Sequence, residues 1–115
     1  MLGVHWFLEG RVEDVDRLSD TSRLQAVLRE VPASLGLTVL TSPAVHASEE
    51  VGTVGLVMLA ESHFTVRCLP EECRLWADLF SCRDVDFGPA RDRLVDSFGL
   101  RDVRESTVER TLHEQ

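Results

Sequence analysis

Between Gly52 and Cys68 the sequence reads GTVGLVMLAESHFTVRC, an apolar run that stops at Glu61, Ser62 and His63 and then resumes. Residues 51–60 alternate only weakly and are apolar on both faces. That is the pattern of a central strand covered on both sides, by helices or by a partner. Residues 63–69 continue as a second strand, stopped by Pro70. Taken as residues alone, Ser62-His63 reads as a turn between strands. Yet an acid, a hydroxyl and an imidazole stand side by side in the middle of a buried-looking run, and the rest of the chain has to accommodate them.

The flanking segments supply the other elements. Residues 4–9 (VHWFLE), closed by Gly10, predict a strand. Its period of two sends Trp6 and Phe7 to opposite faces, one to the core and one to a groove or helix. Ser19, Asp20, Thr21 and Ser22 are candidate caps for a helix running to about Leu35, with Leu24, Val27, Leu28 and Val31 as its core stripe. Pro32 should end or bend that helix, and Gly36 terminates it. Residues 37–40 (LTVL) predict a strand, and Ser42-Pro43 an edge or turn after which residues 44–46 extend the pairing. A polar link covers residues 47–50. Residues 75–82 (LWADLFSC) fit helix or strand by pattern, and their short length favours strand. Asp86 or Gly88 before Pro89 starts a second helix, with Ala90, Leu94, Val95 and Phe98 as its core stripe, stopped at Gly99. Residues 102–108, of mixed polarity, predict an edge strand, and the tail to Gln115 is expected to fray.

The order β-α-β-β-β-β-α-β is that of an α+β fold, a two-layer sandwich with a mostly antiparallel sheet and helices on one face. One domain over residues 1–115 is expected. The second sheet face is left uncovered while several strands are apolar on both sides, which predicts a homodimer.

Composition excludes several functions. With 12 Arg and Lys against 20 Asp and Glu, the net charge of −8 leaves no basic stripe for nucleic acid. Acidity is compatible with a cationic ligand. The N-terminal MLGVHWFLEG lacks the charged and long apolar regions of a signal peptide, and no apolar run reaches membrane-spanning length. Cys68, Cys73 and Cys82 are odd in number and match no standard zinc spacing, so no metal is expected. A site built from these thiols with His63 or His46 is the lesser reading. Reduced thiols and a cytoplasmic location follow.

At AESHFTV the chain resembles the small bacterial and archaeal S-adenosylmethionine decarboxylase proenzymes, whose cleavage motif of Glu-Ser-His, an apolar residue and Thr is matched by Glu61, Ser62, His63, Phe64 and Thr65. LGVHWFLE at residues 2–9 is similar to the family's opening strand, with its Gly-x-His and a downstream Glu. Pro70-Glu71 matches its Pro-Glu, ADLFSC at residues 77–82 its Asp-apolar-Phe-Thr-Cys segment, and VDFGPARDRLVDSF its Pro-initiated helix.

The resemblance implies a pyruvoyl-dependent decarboxylase of polyamine biosynthesis, made as a zymogen that cuts itself at Glu61–Ser62. Residues 1–61 would become one chain and residues 62–115 another, the latter capped by a pyruvoyl group derived from Ser62. That ketone is the electron sink no ordinary side chain provides. Cys82 aligns with the family's proton donor to the decarboxylated carbon, although a free Cys alone reads as a buried small hydrophobe. The substrate needs an aromatic platform, for which Trp6, Phe7 and Phe64 are candidates, with Glu9 and Glu71 expected beside them.

Three positions differ from the family pattern. Arg67 stands where a processing histidine is found, Val54 where a processing serine is found, and Arg83 where a glycine follows the cysteine. Strand parity points the adjacent Thr53 to the other face. Arginine cannot take up a proton, but it can stabilise an oxyanion or pair with a substrate carboxylate. His63 or His46 would then serve as base. Besides S-adenosylmethionine decarboxylation, the residues allow a sister decarboxylase of arginine or ornithine, or a non-processing homologue with a binding or regulatory role.

Overall fold

In the computed structural model, which describes residues 2–111, six strands and two helices follow the expected order. They are β1 (Leu2–Val12), α1 (Thr21–Ser34), β2 (Ala44–Ser48), β3 (Gly52–Leu59), β4 (Ser62–Leu69), β5 (Arg74–Ser81), α2 (Gly88–Phe98) and β6 (Leu100–Thr111). Short 3-10 turns fill Val15–Ser19 and Pro70–Glu72. The strands form one sheet in the order β2-β3-β4-β5-β1-β6, with every neighbouring pair antiparallel. Among the described residues no helix is long and apolar enough to cross a membrane.

Local chemistry sets the helix ends. The Asp20 side chain accepts the Arg23 N–H at 3.1 Å and caps α1. Pro32 sits inside the last turn, and the helix stops two residues later, at Ser34. Pro89 opens α2, and Gly99, in the left-handed region at φ 65°, closes it by donating to the Val95 carbonyl at 2.8 Å. Both helices lie on one sheet face. Trp6, Leu8, Phe64, Val66, Leu75 and Leu79 point into that layer with Leu24, Leu28, Leu94 and Phe98, all almost wholly buried. Contact between α1 and β3 is close: a Cβ on Gly55 would stand 2.5 Å from Leu28 Cδ1 and 3.1 Å from Leu24 Cδ2, so a larger residue would push those side chains aside.

Two expectations are corrected. Residues 37–40 form no strand; they make one isolated bridge, Val39 to Leu59, and Leu40 donates to the Met58 carbonyl at 2.9 Å. The sheet edge is interrupted at Pro43, which has no N–H to offer, and ladder pairing begins only at Ala44. It then runs through Ala47 and Ser48, which had been expected in the polar link. The last strand is also longer than expected, starting at Leu100 and pairing through Thr111 with β1. The tail beyond it, residues 112–115, lies outside the described residues. As expected, β6 is an edge.

The other sheet face carries no helix. Paired residues share a face, so three rows cross it. Met58, His63, Phe80, His5 and Val108 make the first; Leu56, Thr65, Asp78, Phe7 and Ser106 the second; Val54, Arg67, Trp76, Glu9 and Arg104 the third. Leu56, Met58, Trp76, Phe7 and Val108 are exposed there, Met58 by 54%. This is a larger apolar surface than a strand alternating core with solvent presents.

Candidate active site

The polar triplet falls where β3 turns into β4. Leu59 pairs with Ser62, so the connection is the two residues Ala60 and Glu61, and Ser62 is the first residue of β4 rather than part of the turn. Ser62 has φ 152°, a region that residues other than glycine rarely occupy. Holding a serine there costs of order 1–3 kcal/mol, and the surrounding contacts have to supply it.

Those contacts are specific. The Glu61 carbonyl accepts the backbone N–H of Cys82 at 3.0 Å, which ties the hairpin to the end of β5. The Cys82 loop is clamped by Ser81, fully buried, whose hydroxyl donates to the Arg83 carbonyl at 2.8 Å and accepts the Arg83 N–H at 2.9 Å. The Ser62 hydroxyl lies 3.2 Å from His63 Nδ1, within hydrogen-bonding distance, and the Nε2–H tautomer of the ring is the one that accepts from it. Phe80 separates two imidazoles, with ring centroids 4.4 Å from His5 and 6.1 Å from His63. Burial holds the nearby Asp78 carboxyl above its ordinary value, against the opposing charges of His5 and His63.

The Glu61 carboxylate is anchored too. It accepts the Thr38 N–H at 2.9 Å and lies 3.6 Å from the Arg83 guanidinium. The Thr38 N–H holds this carboxyl below its ordinary value; partial burial opposes the shift and Arg83 reinforces it. A lowered folded-state value contributes stability above the ordinary carboxylate range and loses it as pH falls through the lowered value. Urea resistance of the uncleaved Ser62→Ala chain should therefore fall more steeply than that of Ser62→Ala carrying Glu61→Gln between about pH 5 and pH 3. Parallel curves would mean that the Thr38 contact does not form in solution.

Of the residues expected at the site, Glu61, Ser62, His63 and Cys82 come together. Cys82 is exposed, unlike the buried small hydrophobe that an isolated cysteine suggests. Cys68 is the buried one, its thiol pushed up to about 12 by desolvation. Trp6 and Phe64 do not reach the site. Both are wholly buried, Trp6 stacked on Phe87 with ring centroids 5.4 Å apart and donating to Glu105 at 3.0 Å, so neither presents a ring to a ligand. Phe7 and Glu9 lie on the open face, two and three rows of side chains away from Ser62. Arg67 is five residues along β4, about 16 Å at the rise of a strand, and its guanidinium donates to the Val51 carbonyl at 3.3 Å. Glu71 is farther still, in the 3-10 turn beyond β4. Neither Arg67 nor Glu71 touches the Ser62 bond of its own chain. Val54 and Arg67, two of the three departures, are direct cross-strand partners, while Thr53 faces the helices and is 4% exposed. His46 pairs with Val54, also remote from Ser62.

Thr38, Ser81, His5 and Asp78 join the site without a motif of their own in the sequence. His5 and Asp78 stood inside matched segments, and strand parity was the available signal for their shared face. The Cys82 contact is made by a backbone N–H, which has no signature in a sequence.

A six-stranded antiparallel sheet backed by two helices, with a strained serine at a clamped hairpin, is the frame of a specific enzyme family. The chain belongs to the S-adenosylmethionine decarboxylase family, whose model matches residues 4–111. An S-adenosylmethionine decarboxylase proenzyme of Parasynechococcus marenigrum (strain WH8102) is 34% identical over 84 residues, 73% of this chain and 65% of that one. The proenzyme of Symbiobacterium thermophilum is 32% identical over 102 residues, 88% of this chain and 76% of that one. The chain thus spans just under two thirds of the length of the first of these relatives. The fold matches the crystal structure of the adenosylmethionine decarboxylase from Aquifex aeolicus VF5 with a TM-score of 0.83 and 22% identity, over 99% of this chain and 94% of that one.

Proposed function

We propose that this chain is a proenzyme that cleaves itself between Glu61 and Ser62 and becomes a pyruvoyl-dependent decarboxylase of S-adenosylmethionine in polyamine biosynthesis. The observation that carries the reading is the 3.0 Å hydrogen bond from the Cys82 N–H to the Glu61 carbonyl, the bond a nucleophile at Ser62 would attack. As Ser62 Oγ adds to that carbon, its proton passes to His63 Nδ1 and the developing oxyanion is held by the Cys82 N–H. The C–N bond then breaks with the amine taking up a proton, leaving an ester. Loss of the Ser62 α-proton and cleavage of the Cβ–O bond release residues 1–61 as a carboxylate. The dehydroalanine left at position 62 takes up water and loses ammonia, so residues 62–115 begin with a pyruvoyl group. The residues present fit that group: a serine at a strained position, a carbonyl with a donor already aimed at it, and an exposed thiol in the same loop. When formed, its ketone supplies the electron sink for loss of CO₂. Cys82 then holds the proton returned to the product carbon.

The exposed apolar face supports a homodimer in which two such faces meet. With strands opposed, Arg67 and Glu71 of one chain approach the Ser62 end of the other, which gives them a role their own chain denies them. Sedimentation equilibrium should read twice the monomer mass, and a monomer at micromolar concentration would sink that arrangement. Three free thiols support a cytoplasmic setting. Release of CO₂ from S-adenosylmethionine, arginine and ornithine, assayed side by side, tests the substrate.

One observation favours a second reading, a homologue that stays whole. Val54 and Arg67 face each other across β3 and β4, and neither can transfer a proton. Both positions stand about 16 Å from Ser62 of their own chain and can act only across the proposed dimer; there, restoring the family pair with Val54→Ser and Arg67→His should shorten the half-time of cleavage by about tenfold or more, because positioned acid–base groups contribute roughly 10²–10⁴-fold. An unchanged half-time would remove those positions from the processing step.

A further inference from the structure

We propose that Arg83 is a positioning residue: by pinning the Glu61 side chain it keeps the Glu61 carbonyl on the Cys82 N–H, and so sets how fast the hairpin can be cut. The tip of the β3–β4 hairpin is only Ala60 and Glu61, and two separate segments meet on it. The segment after α1 reaches it through Thr38. The Ala60 N–H donates to the Thr38 carbonyl at 2.9 Å, and the Thr38 N–H donates to the Glu61 carboxylate, also at 2.9 Å. The loop after β5 reaches it through the Cys82 N–H, which donates to the Glu61 carbonyl at 3.0 Å. Arg83 joins the two segments. Its Nη1 donates to the Gly36 carbonyl at 3.3 Å and stands 3.6 Å from Glu61 Oε2. Glu61 is thus held at both its carboxylate and its carbonyl, and Arg83 follows directly on the residue that holds the carbonyl.

The carbonyl needs that hold. Ser62 sits at φ 152°, and turning the Glu61–Ser62 peptide plane would relieve this backbone at the cost of the Cys82 contact. A Glu61 anchored through its side chain resists the turn. The Glu61 side chain is 15% exposed, so few partners other than Thr38 and Arg83 can reach it, whereas the Arg83 side chain is 56% exposed and its share of the hold is modest. The Arg83 backbone is fixed independently, since its N–H and its carbonyl both bond the buried Ser81 hydroxyl. Truncating the side chain therefore leaves the loop closed and removes the guanidinium alone. In the family pattern this position is a glycine, which has nothing to reach Glu61 with, so the hold is a feature of this chain. That the pinned bond is one that is cut rests on the proposed function; the pinning itself does not.

Hydrogen exchange of the Cys82 amide, read by NMR on the full-length Ser62→Ala chain, tests the pinning without needing the cut. Arg83→Ala should speed that exchange by about threefold, the scale of a half-exposed ion pair, while amides in the middle of β4 and β5 keep their rates. Arg83→Lys should return part of the protection. In a Glu61→Gln background Arg83→Ala should add nothing, because the cation then has no charge to pin. In the chain that keeps Ser62, Arg83→Ala should lengthen the half-time of cleavage by about threefold or more, since a small displacement of a reacting atom slows its reaction. Unchanged exchange in Arg83→Ala, an equal gain in the Glu61→Gln background, or faster exchange beside an unchanged half-time overturns the proposal. A Ser62-bearing chain that never cuts itself would retire the decarboxylase reading, and the exchange measurements alone would then decide whether Arg83 pins Glu61.

Discussion

Replacing Ser62 with Ala should leave a single 12.9 kDa chain under conditions in which the native protein converts to two. The expected loss is complete, because no other group is placed to do what the hydroxyl does. Its oxygen belongs to the residue whose nitrogen must depart, and it lies 3.2 Å from the imidazole proposed to take its proton. Water could hydrolyse the Glu61–Ser62 bond only as an ordinary peptide, since the Cys82 N–H polarises the carbonyl but supplies no nucleophile. The variant should fold as the native chain does. Ser62 is partly exposed, and alanine removes only the hydroxyl, while the backbone contacts to Ser81 and Cys82 remain. Cleavage persisting in Ser62→Ala at the native rate would mean that the bond is cut by something other than its own serine.

The largest expected effect on stability lies in the core. Trp6→Ala should cost about 3–5 kcal/mol, the range for deleting a large buried aromatic. Trp6 is completely buried, stacks in parallel on Phe87 at the start of α2, and reaches through its indole N–H to Glu105 on β6. One side chain therefore joins the helix layer, the interior strand β1 and the edge strand β6. Its removal leaves a cavity and also strands the Glu105 carboxylate, though Arg91 still pairs with it at 3.2 Å. With a urea slope of about 2 kcal/mol/M, the unfolding midpoint should fall by roughly 2 M. Trp6→Phe, which keeps the stack and loses the hydrogen bond, should recover most of that. If Trp6→Ala unfolds within a few tenths of a molar of the native chain, Trp6 is not the buried tie described above.

Much of the fold could be read from the residues because each element carried its own chemistry. Asp20 and Gly99 cap helices through their side chain and φ freedom, and the stripes at Leu24 to Val31 and Ala90 to Phe98 point one way. Residues 75–82 needed their length as well as their pattern, since a short apolar run fits two structures. Residues 37–40 misled because LTVL has strand composition, while its pairing depends on where Pro43 breaks the edge, a tertiary matter. For the site, the triplet at Glu61 to His63 was visible as polar residues in an apolar run. What could not be read was distance. Arg67 and Glu71 stand near Ser62 in sequence, but an extended strand carries them away at about 3.3 Å per residue. Cys82 and Thr38, far off along the chain, arrive through backbone N–H groups. Trp6 and Phe64 look like ligand platforms by residue type, yet parity turns them inward and leaves Phe7 outside.

Intact mass spectrometry of the native protein after long incubation, with and without a carbonyl-trapping hydrazine, is the most direct measurement of the central claim. Two fragments are expected, ending and beginning at Glu61 and Ser62, with the second lighter by one ammonia than an unmodified residue 62–115 chain and quantitatively shifted by the hydrazine. A single species of 12.9 kDa that takes up no hydrazine would contradict it.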